Sequence, residues 1–210
     1  MKNSSLFTLH FSLFTAAALW FLMFSPWTAG RVNFWLEMSC AAVVLTTLTL
    51  LFTPDRKVLF RVGKPLLQIV VGIGIAVALW GIFWVGDRLS SLMFDFARPE
   101  VDAVYAMKTG LPSSTIALLL LFLIGPAEEL FWRGYVQRTL GKKNPNVAFV
   151  ATTLVYALVH IWSFNFMLVM AALVAGAVWG FLYRLNPKLL PALIVSHALW
   201  DTLVFVIMPI

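Results

Sequence analysis

Seven long apolar stretches constrain this chain of 210 residues more than any other feature of its sequence. Most approach the roughly 20 residues that an α-helix needs to cross a bilayer. They lack the alternating pattern of a barrel strand, and in hydrocarbon every backbone polar group must be paired within the protein. We therefore predict an all-α fold, a polytopic transmembrane helical bundle of about seven spanning helices. The stretches are Leu6–Phe24, Phe34–Phe52, Leu66–Val85, Ser113 onward, Val147–Trp162, Phe164–Tyr183 and Leu189–Met208.

The composition excludes the other common classes of protein. Hydrophobic residues make up 61% of the chain and charged residues 11%, whereas soluble domains are about 25% charged. An ordinary soluble enzyme, a disordered chain and a disulfide scaffold do not fit these values, and the single cysteine, Cys40, permits no intrachain disulfide. Without an internal repeat or a linker, residues 1–210 are interpreted as one integral membrane domain.

The charges of the loops predict the orientation. One set of loops carries ten basic residues against one acid, Asp55, while basic and acidic residues balance in the other set. Because basic loops stay in the cytoplasm, we expect a cytoplasmic N-terminus and an extracytoplasmic C-terminus. The basic loops account for the net charge of +6, so we expect no nucleic acid as a partner. The basic set is Lys2, Arg56, Lys57, Arg61, Lys64, Arg138, Lys142, Lys143, Arg184 and Lys188.

Two further features bear on the architecture. The longest loop, Gly86–Pro112, mixes charges with large apolar residues, so we expect an interfacial helix within residues 87–112, which would be an eighth helix. A lid over a site is the alternative for this loop. Gly176 and Gly180 form a GxxxG pattern in the sixth span, which indicates close helix packing inside the bundle.

Six ionisable residues lie well inside the predicted spans, all in the C-terminal half: Glu128, Glu129, Arg133, His160, His197 and Asp201. Each costs about 2.5–3.5 kcal/mol at mid-bilayer on insertion scales, so such residues face the bundle interior and are functional candidates. At 1.5 Å per residue, Glu128 and His160 both lie roughly 20 Å above the cytoplasmic ends of their helices, and Asp201 lies roughly 18 Å above. Three separate helices therefore bring ionisable groups to a similar depth.

Helix geometry separates the roles of these residues. Glu128 and Glu129 point about 100° apart and cannot share one role. Glu129 and Arg133 are four residues apart on one face, as in an intrahelical ion pair, which leaves Glu128 free to face another helix. His197 and Asp201 have the same spacing and can line one wall of a cavity. Pro126 is expected to kink the helix just before the acidic pair.

The same residues carry a resemblance to a known family. Glu128-Glu129-Leu130-Phe131-Trp132-Arg133 matches EExxxR, Tyr156-Ala157-Leu158-Val159-His160 is similar to FxxxH, and His197-Ala198-Leu199-Trp200-Asp201 matches HxxxN/D. In this order they resemble the CAAX protease and bacteriocin-processing (CPBP, or Abi) family of glutamate intramembrane proteases, over residues 113–208. Tyr156 stands in place of Phe, and Asp201 in place of the Asn of the prenyl-protein enzymes.

The resemblance implies an intramembrane endopeptidase that cleaves a membrane-associated protein or peptide. Glu128 would activate a water, assisted by His160, while His197 and Asp201 would stabilise the oxyanion. Glu129 and Arg133 would form a supporting ion pair. Because Asp201 donates a hydrogen bond only when it is protonated, it could instead orient His197. We expect no cofactor and, because zinc ligands are missing, no metal. The compact chain without a eukaryotic-looking tail suggests a prokaryotic plasma membrane.

Other interpretations of the six residues remain open. Two histidines and three carboxylates could hold a divalent metal, although the HExxH signature is absent. Ser196 lacks the glycines of a rhomboid-type serine, and only one aspartate is deep, so a presenilin-like pair is missing. A non-catalytic immunity or scaffold protein could use the same cavity. A proton-coupled carrier is disfavoured because no inverted repeat is visible.

Overall fold

The computed structural model describes residues 3–210, with side chains from Leu6 onward, and within that range it contains helices and no strands. Seven of the eight helices in this range are long and apolar enough to cross a membrane, and α4 is short. This architecture confirms the predicted all-α polytopic bundle. The helices are α1 (Asn3–Phe24), α2 (Phe34–Phe52), α3 (Pro65–Met93), α4 (Ala97–Ala106), α5 (Ser113–Gly141), α6 (Pro145–Ser163), α7 (Phe166–Leu185) and α8 (Pro187–Ile207).

The bounds of the helices follow the apolar stretches closely, with one correction. α2 begins and ends where the sequence predicts, but α3 continues from Val85 to Met93, so the first residues of the predicted Gly86–Pro112 loop are helical. Charged residues such as Asp87 do not end a helix that has passed beyond its apolar stretch, because they do not disturb its backbone hydrogen bonds. The short α4 confirms a helix within residues 87–112.

The helix α5 is the most buried of the seven apolar helices, and α3 is the least buried. α8 packs against both α3 and α5, α6 packs against α7, and α1 lies beside α2 and the end of α6. The contact between α5 and α8 is close because Gly125 has no side chain: a Cβ there would lie 2.7 Å from the Cα of Ala198. This approach brings the acidic pair of α5 next to His197.

The GxxxG pattern of α7 packs inside the chain, as the sequence predicts. A Cβ at Gly176 would lie 2.8 Å from Cδ1 of Tyr156 on α6. The carbonyl oxygens of the two glycines also accept hydrogen bonds from α5. Arg133 Nη2 donates to Gly176 at 3.1 Å, and Gln137 Nε2 donates to Gly180 at 2.7 Å. The small residues therefore expose a backbone that holds α5 against α7.

Two segments of α5 have the wider π-helical geometry, Leu120–Ile124 and Leu130–Gln137. They flank the short α-helical stretch Gly125–Glu129, which contains Pro126 and the acidic pair. Pro126 lacks a backbone N–H, and a π-helical turn lies just before it, where the sequence predicts a kink. π turns are rare and are frequent at functional sites.

The two ends of the bundle differ in charge. At one end, which we name the basic end, lie the start of α1, the end of α2 and the end of α5, together with the basic loop residues of the orientation argument. Lys2, also assigned to this set, lies outside the described residues. At the opposite end α4 is held by polar contacts: Arg98 pairs with Asp87 and Asp102, and Glu100 accepts a hydrogen bond from the backbone N–H of Met167 at the start of α7.

Candidate active site

The six ionisable residues singled out by the sequence lie in one region of the bundle, on α5, α6 and α8. Five of them are buried, and the side chain of Asp201 is 13% exposed. They form two connected groups of contacts, one around Glu129 and one around Glu128. The sequence predicts this convergence of depth but not which side chains touch.

Glu129 is the centre of the first group. Its Oε1 accepts from Arg133 Nη1 at 2.8 Å and from His197 Nδ1 at 2.9 Å, and its side chain is fully buried. Arg133 in turn holds the Gly176 carbonyl, and its guanidinium lies 5.0 Å from the ring centroid of Tyr156. A buried carboxylate requires such compensation, because removing one partner leaves an uncompensated charge. The pair therefore joins α5 to both α7 and α8.

Glu128 has a different environment, as the 100° turn between neighbours predicts. Its Oε2 accepts a hydrogen bond of 3.0 Å from the hydroxyl of Tyr156. Among residues 6–210 it forms no ion pair. It is nevertheless close enough to His197 and Arg133 to interact with them electrostatically. Glu128 is thus the buried carboxylate of the adjacent pair that is not neutralised by direct contact with a cation.

Both ring nitrogens of His160 are engaged. Nε2 lies 3.0 Å from Nε1 of Trp20 on α1, and Nδ1 lies 2.8 Å from the carbonyl oxygen of Tyr156. An indole N–H only donates, so Nε2 is the acceptor and Nδ1 carries the proton. No hydrogen bond within residues 6–210 joins His160 directly to Glu128. The two are linked through Tyr156, whose hydroxyl binds Glu128 and whose carbonyl binds His160.

The third motif places His197 between two carboxylates. Nδ1 donates to Glu129, and Nε2 lies 3.5 Å from Oδ2 of Asp201. The imidazole is also stacked on the indole of Trp179, with ring centroids 3.9 Å apart and planes 18° from parallel. Trp179 is held by its own hydrogen bond, from Nε1 to Oγ of Ser196 at 3.1 Å. The orientation of His197 is therefore fixed from three sides.

Three aromatic residues of this region were not predicted as functional. The sequence motif indicates Tyr156 only as an aromatic replacement for Phe, although its hydroxyl can donate a hydrogen bond to a buried carboxylate. Nothing in the sequence indicates a functional role for Trp20 or Trp179, because an aromatic residue in an apolar stretch can equally face the lipid or pack in the core. Both are fully buried in the structure.

The cluster is rich in carboxylate and imidazole groups, which raises the question of a metal. Among residues 6–210, no three His, Cys, Asp or Glu side chains are arranged to hold a metal ion. The geometry accounts for this: Glu129 is occupied by Arg133, and His160 is occupied by Trp20 and Tyr156. Glu128 has no cation in direct contact, and Asp201 is the member of the cluster whose side chain is partly exposed, at 13%.

Comparison with known proteins confirms the resemblance carried by the three motifs. Residues 110–203 match the family model described as type II CAAX prenyl endopeptidase Rce1-like. This segment begins just before α5 and contains all six ionisable residues, while α1, α2 and α3 lie outside it. No curated protein and no solved structure matched the chain. This part of the chain is therefore similar to that family, and the apolar helices support an integral membrane protein.

Proposed function

We propose that this protein is an intramembrane endopeptidase that hydrolyses a peptide bond of a membrane-associated protein or peptide with a water activated by Glu128. The observation that carries the proposal is the contrast between the two adjacent acids. Glu129 is neutralised by Arg133 and His197, whereas Glu128 has one neutral hydrogen-bond donor and no ion pair within the described side chains. A buried carboxylate without a bound cation can accept a proton.

Glu128 acts as the general base. Tyr156 holds Oε2, which leaves Oε1 to take a proton from a water as the water oxygen attacks the scissile carbonyl carbon. The carbonyl π electrons move to oxygen and form a tetrahedral oxyanion. When the C–N bond breaks, the proton held by Glu128 passes to the leaving amine, and the carboxylate is regenerated. This cycle consumes one water and needs no other reactant.

His197 and Asp201 stabilise the oxyanion. His197 donates Nδ1–H to Glu129, so its second donor, Nε2–H, exists only when the ring carries both protons. The carboxylates of Glu129 and Asp201 on either side balance the positive charge of that form. Asp201 therefore orients His197 and supports its charge, and His197 is the donor to the oxyanion. Of the two roles that the sequence leaves open for Asp201, we propose the orienting one.

His160 and Arg133 hold the site in shape. His160 fixes the carbonyl of Tyr156, and thereby the residue that binds Glu128. Its Nε2 accepts the hydrogen bond from Trp20, and that bond must break before Nε2 can bind a water beside Glu128. Arg133 neutralises Glu129 and ties α5 to α7. We therefore assign the reaction itself to Glu128 and His197. His160, Asp201, Glu129 and Arg133 position them.

The decisive experiment compares membrane peptidomes of cells that express the wild-type chain or Glu128→Gln. We expect a precursor to accumulate in the variant, with cleavage reduced by about 10²–10⁴-fold, because that is the usual contribution of a general base. Glu37→Gln is the matched control, since it makes the same change in the first turn of α2, at a carboxylate that forms no ion pair with any of the six residues. Equal cleavage by wild type and Glu128→Gln at equal expression would refute the proposal.

A second measurement separates this mechanism from the metal-dependent alternative. The accumulated precursor, once identified, is incubated with purified protein before and after treatment with a chelator. We expect the same rate, because Glu129 and His160 are already engaged by other side chains. Loss of activity on chelation, with recovery on addition of one divalent metal, would contradict the mechanism in favour of a metalloprotease.

A further inference from the structure

A cavity of about 320 Å³ lies at the basic end of the bundle, apart from the candidate active site. It is formed by the start of α1, the end of α2 with the loop that follows, and the last turns of α5. None of the six ionisable residues of the active site lines it. Its polar and charged lining includes Thr53, Asp55, Arg138, Thr139 and Lys142.

Two cations face this cavity from one helix. Arg138 and Lys142 are four residues apart near the end of α5, so they lie on the same face of the helix. Neither forms an ion pair with another side chain in residues 6–210. Asp55 lies at the same cavity but is not within ion-pair distance of either. The two cations are therefore not directly paired, and they outnumber the one acid at the cavity.

A threonine supplies an independent observation. Thr53 lines the cavity, is only 6% exposed, and its Oγ1 has no hydrogen-bond partner within the described side chains. A buried hydroxyl without a partner costs about 1–3 kcal/mol, and most buried polar groups avoid that cost. Thr139, a second buried threonine, lies on the same wall. A cavity with two unpaired cations and an unsatisfied donor is suited to a group that has several acceptor oxygens.

We propose that this cavity binds the phosphate of an anionic phospholipid headgroup. Arg138 and Lys142 pair with the phosphate oxygens, as such side chains do in basic pockets between transmembrane helices, and Thr53 donates its hydroxyl. A lipid source follows from position, because Phe7 and Phe11 on the adjoining turns of α1 are exposed on the outside of the bundle. Asp55 disfavours a doubly charged phosphate and can accept from a headgroup hydroxyl, so a glycerol diester fits best.

The test is native mass spectrometry of the purified full-length protein, titrated with phosphatidylglycerol or phosphatidylcholine. We expect one phosphatidylglycerol to be retained preferentially, and Arg138→Gln to weaken its binding about tenfold, the effect of one lost charge-assisted hydrogen bond. Thr53→Val keeps the shape of the side chain and should weaken binding several-fold. Lys143→Gln is the control, because it removes a neighbouring positive charge that does not line the cavity.

Several outcomes would overturn the proposal. Equal binding by Arg138→Gln and Lys143→Gln would show that the cations act only through the overall charge of this end. Equal retention of phosphatidylcholine would remove the need for an anion. If inorganic phosphate displaces phosphatidylglycerol and stabilises the protein equally well against heat, the site is one for soluble phosphate. If Arg138→Gln does not fold, unchanged binding by Thr53→Val is enough to refute the proposal.

Discussion

Trp20 and Glu128 show how much the role of a residue depends on partners that are distant in sequence. Trp20 lies on α1, 140 residues from His160, yet its indole N–H determines which imidazole nitrogen carries the proton. Glu128 receives its single hydrogen bond from Tyr156 on α6. In both cases the direct partner of the buried side chain is a neutral donor rather than a charge.

The hydrogen bond from Trp20 leads to a spectroscopic prediction. In protein labelled with ¹⁵N-histidine, His160 should populate the Nδ1–H tautomer, because Nε2 accepts from the indole. Trp20→Phe removes that donor, and we expect the ¹⁵N resonance of Nε2 to move because it loses its hydrogen bond, while the Tyr156 carbonyl keeps the proton on Nδ1. His160→Gln identifies the signal among the three histidines, and Trp162→Phe is the matched control. An unchanged Nε2 resonance in Trp20→Phe would show that the indole does not donate to His160.

The limits of sequence reasoning at this scale follow from helix geometry. The spacing of Glu128, Glu129 and Arg133 predicts which of them share a face, because that depends only on the local turn of the helix. It does not predict that His197 joins Glu129, because that contact needs the relative rotation of α5 and α8. The role of Tyr156 could have been inferred from its hydroxyl. That of Trp20 could not, since nothing in α1 marks one tryptophan as facing inward.

At the scale of helices, glycines set the distances on which the site depends. Gly125 lets α5 approach α8, and Gly176 lets α7 approach Tyr156 of α6. Because neither glycine has a side chain, the backbone of Ala198 lies close to Gly125 and the ring of Tyr156 lies close to Gly176. Small residues commonly allow such close packing in membrane bundles. The chemistry of the site therefore rests on positions that have no side chain.

This dependence predicts opposite effects of the same substitution at two glycines. Gly176→Ala places a Cβ 2.8 Å from the Tyr156 ring, so the helices must separate, at a cost of about 1–3 kcal/mol. Gly74→Ala on α3 meets nothing within 4 Å and should stabilise by about 0.5–1 kcal/mol, because alanine favours the helix. Thermal unfolding in detergent measures both. Equal changes in melting temperature for the two variants would mean that the contact at Gly176 is not tight.

The helix bounds were largely predictable, since an apolar stretch of about 20 residues is a strong signal. The continuation of α3 to Met93 was not, because beyond the apolar stretch only backbone propensity acts, and it is weak. The π-helical geometry of α5 was not predicted either. A wide turn changes the hydrogen-bond register by one residue and leaves no pattern in the hydropathy.

Considered as a whole, the molecule is larger than its family match. The match covers residues 110–203, and α1, which supplies Trp20 to His160, lies outside it. The first helices therefore contribute to the site as well as enclosing it. We infer that the N-terminal half cannot be replaced by an unrelated set of apolar helices without altering the environment of His160.

The whole chain also has a testable orientation. With seven spanning helices we expect the two termini on opposite sides of the membrane, and the charge of the loops predicts that the N-terminus is cytoplasmic. A reporter fused after Ile210 that is active only outside the cytoplasm should therefore be active, and one fused after Asn144, between α5 and α6, should be silent. Reversed signals would contradict the orientation. Replacing Lys57 and Arg61 with glutamine should weaken the preference for this orientation.

The wide turn at Leu120–Ile124 has a consequence for how the length of this protein can vary. The N–H of Gly125 bonds to the carbonyl of Leu120, five residues back, so the turn holds one residue more than an α-helical turn. Loss of that residue would restore an ordinary turn without rotating the helix beyond it. Chains related to this one can therefore differ in length by one residue here while their acidic pair keeps the same direction, and an alignment that places the gap elsewhere would misassign the partners of Glu128.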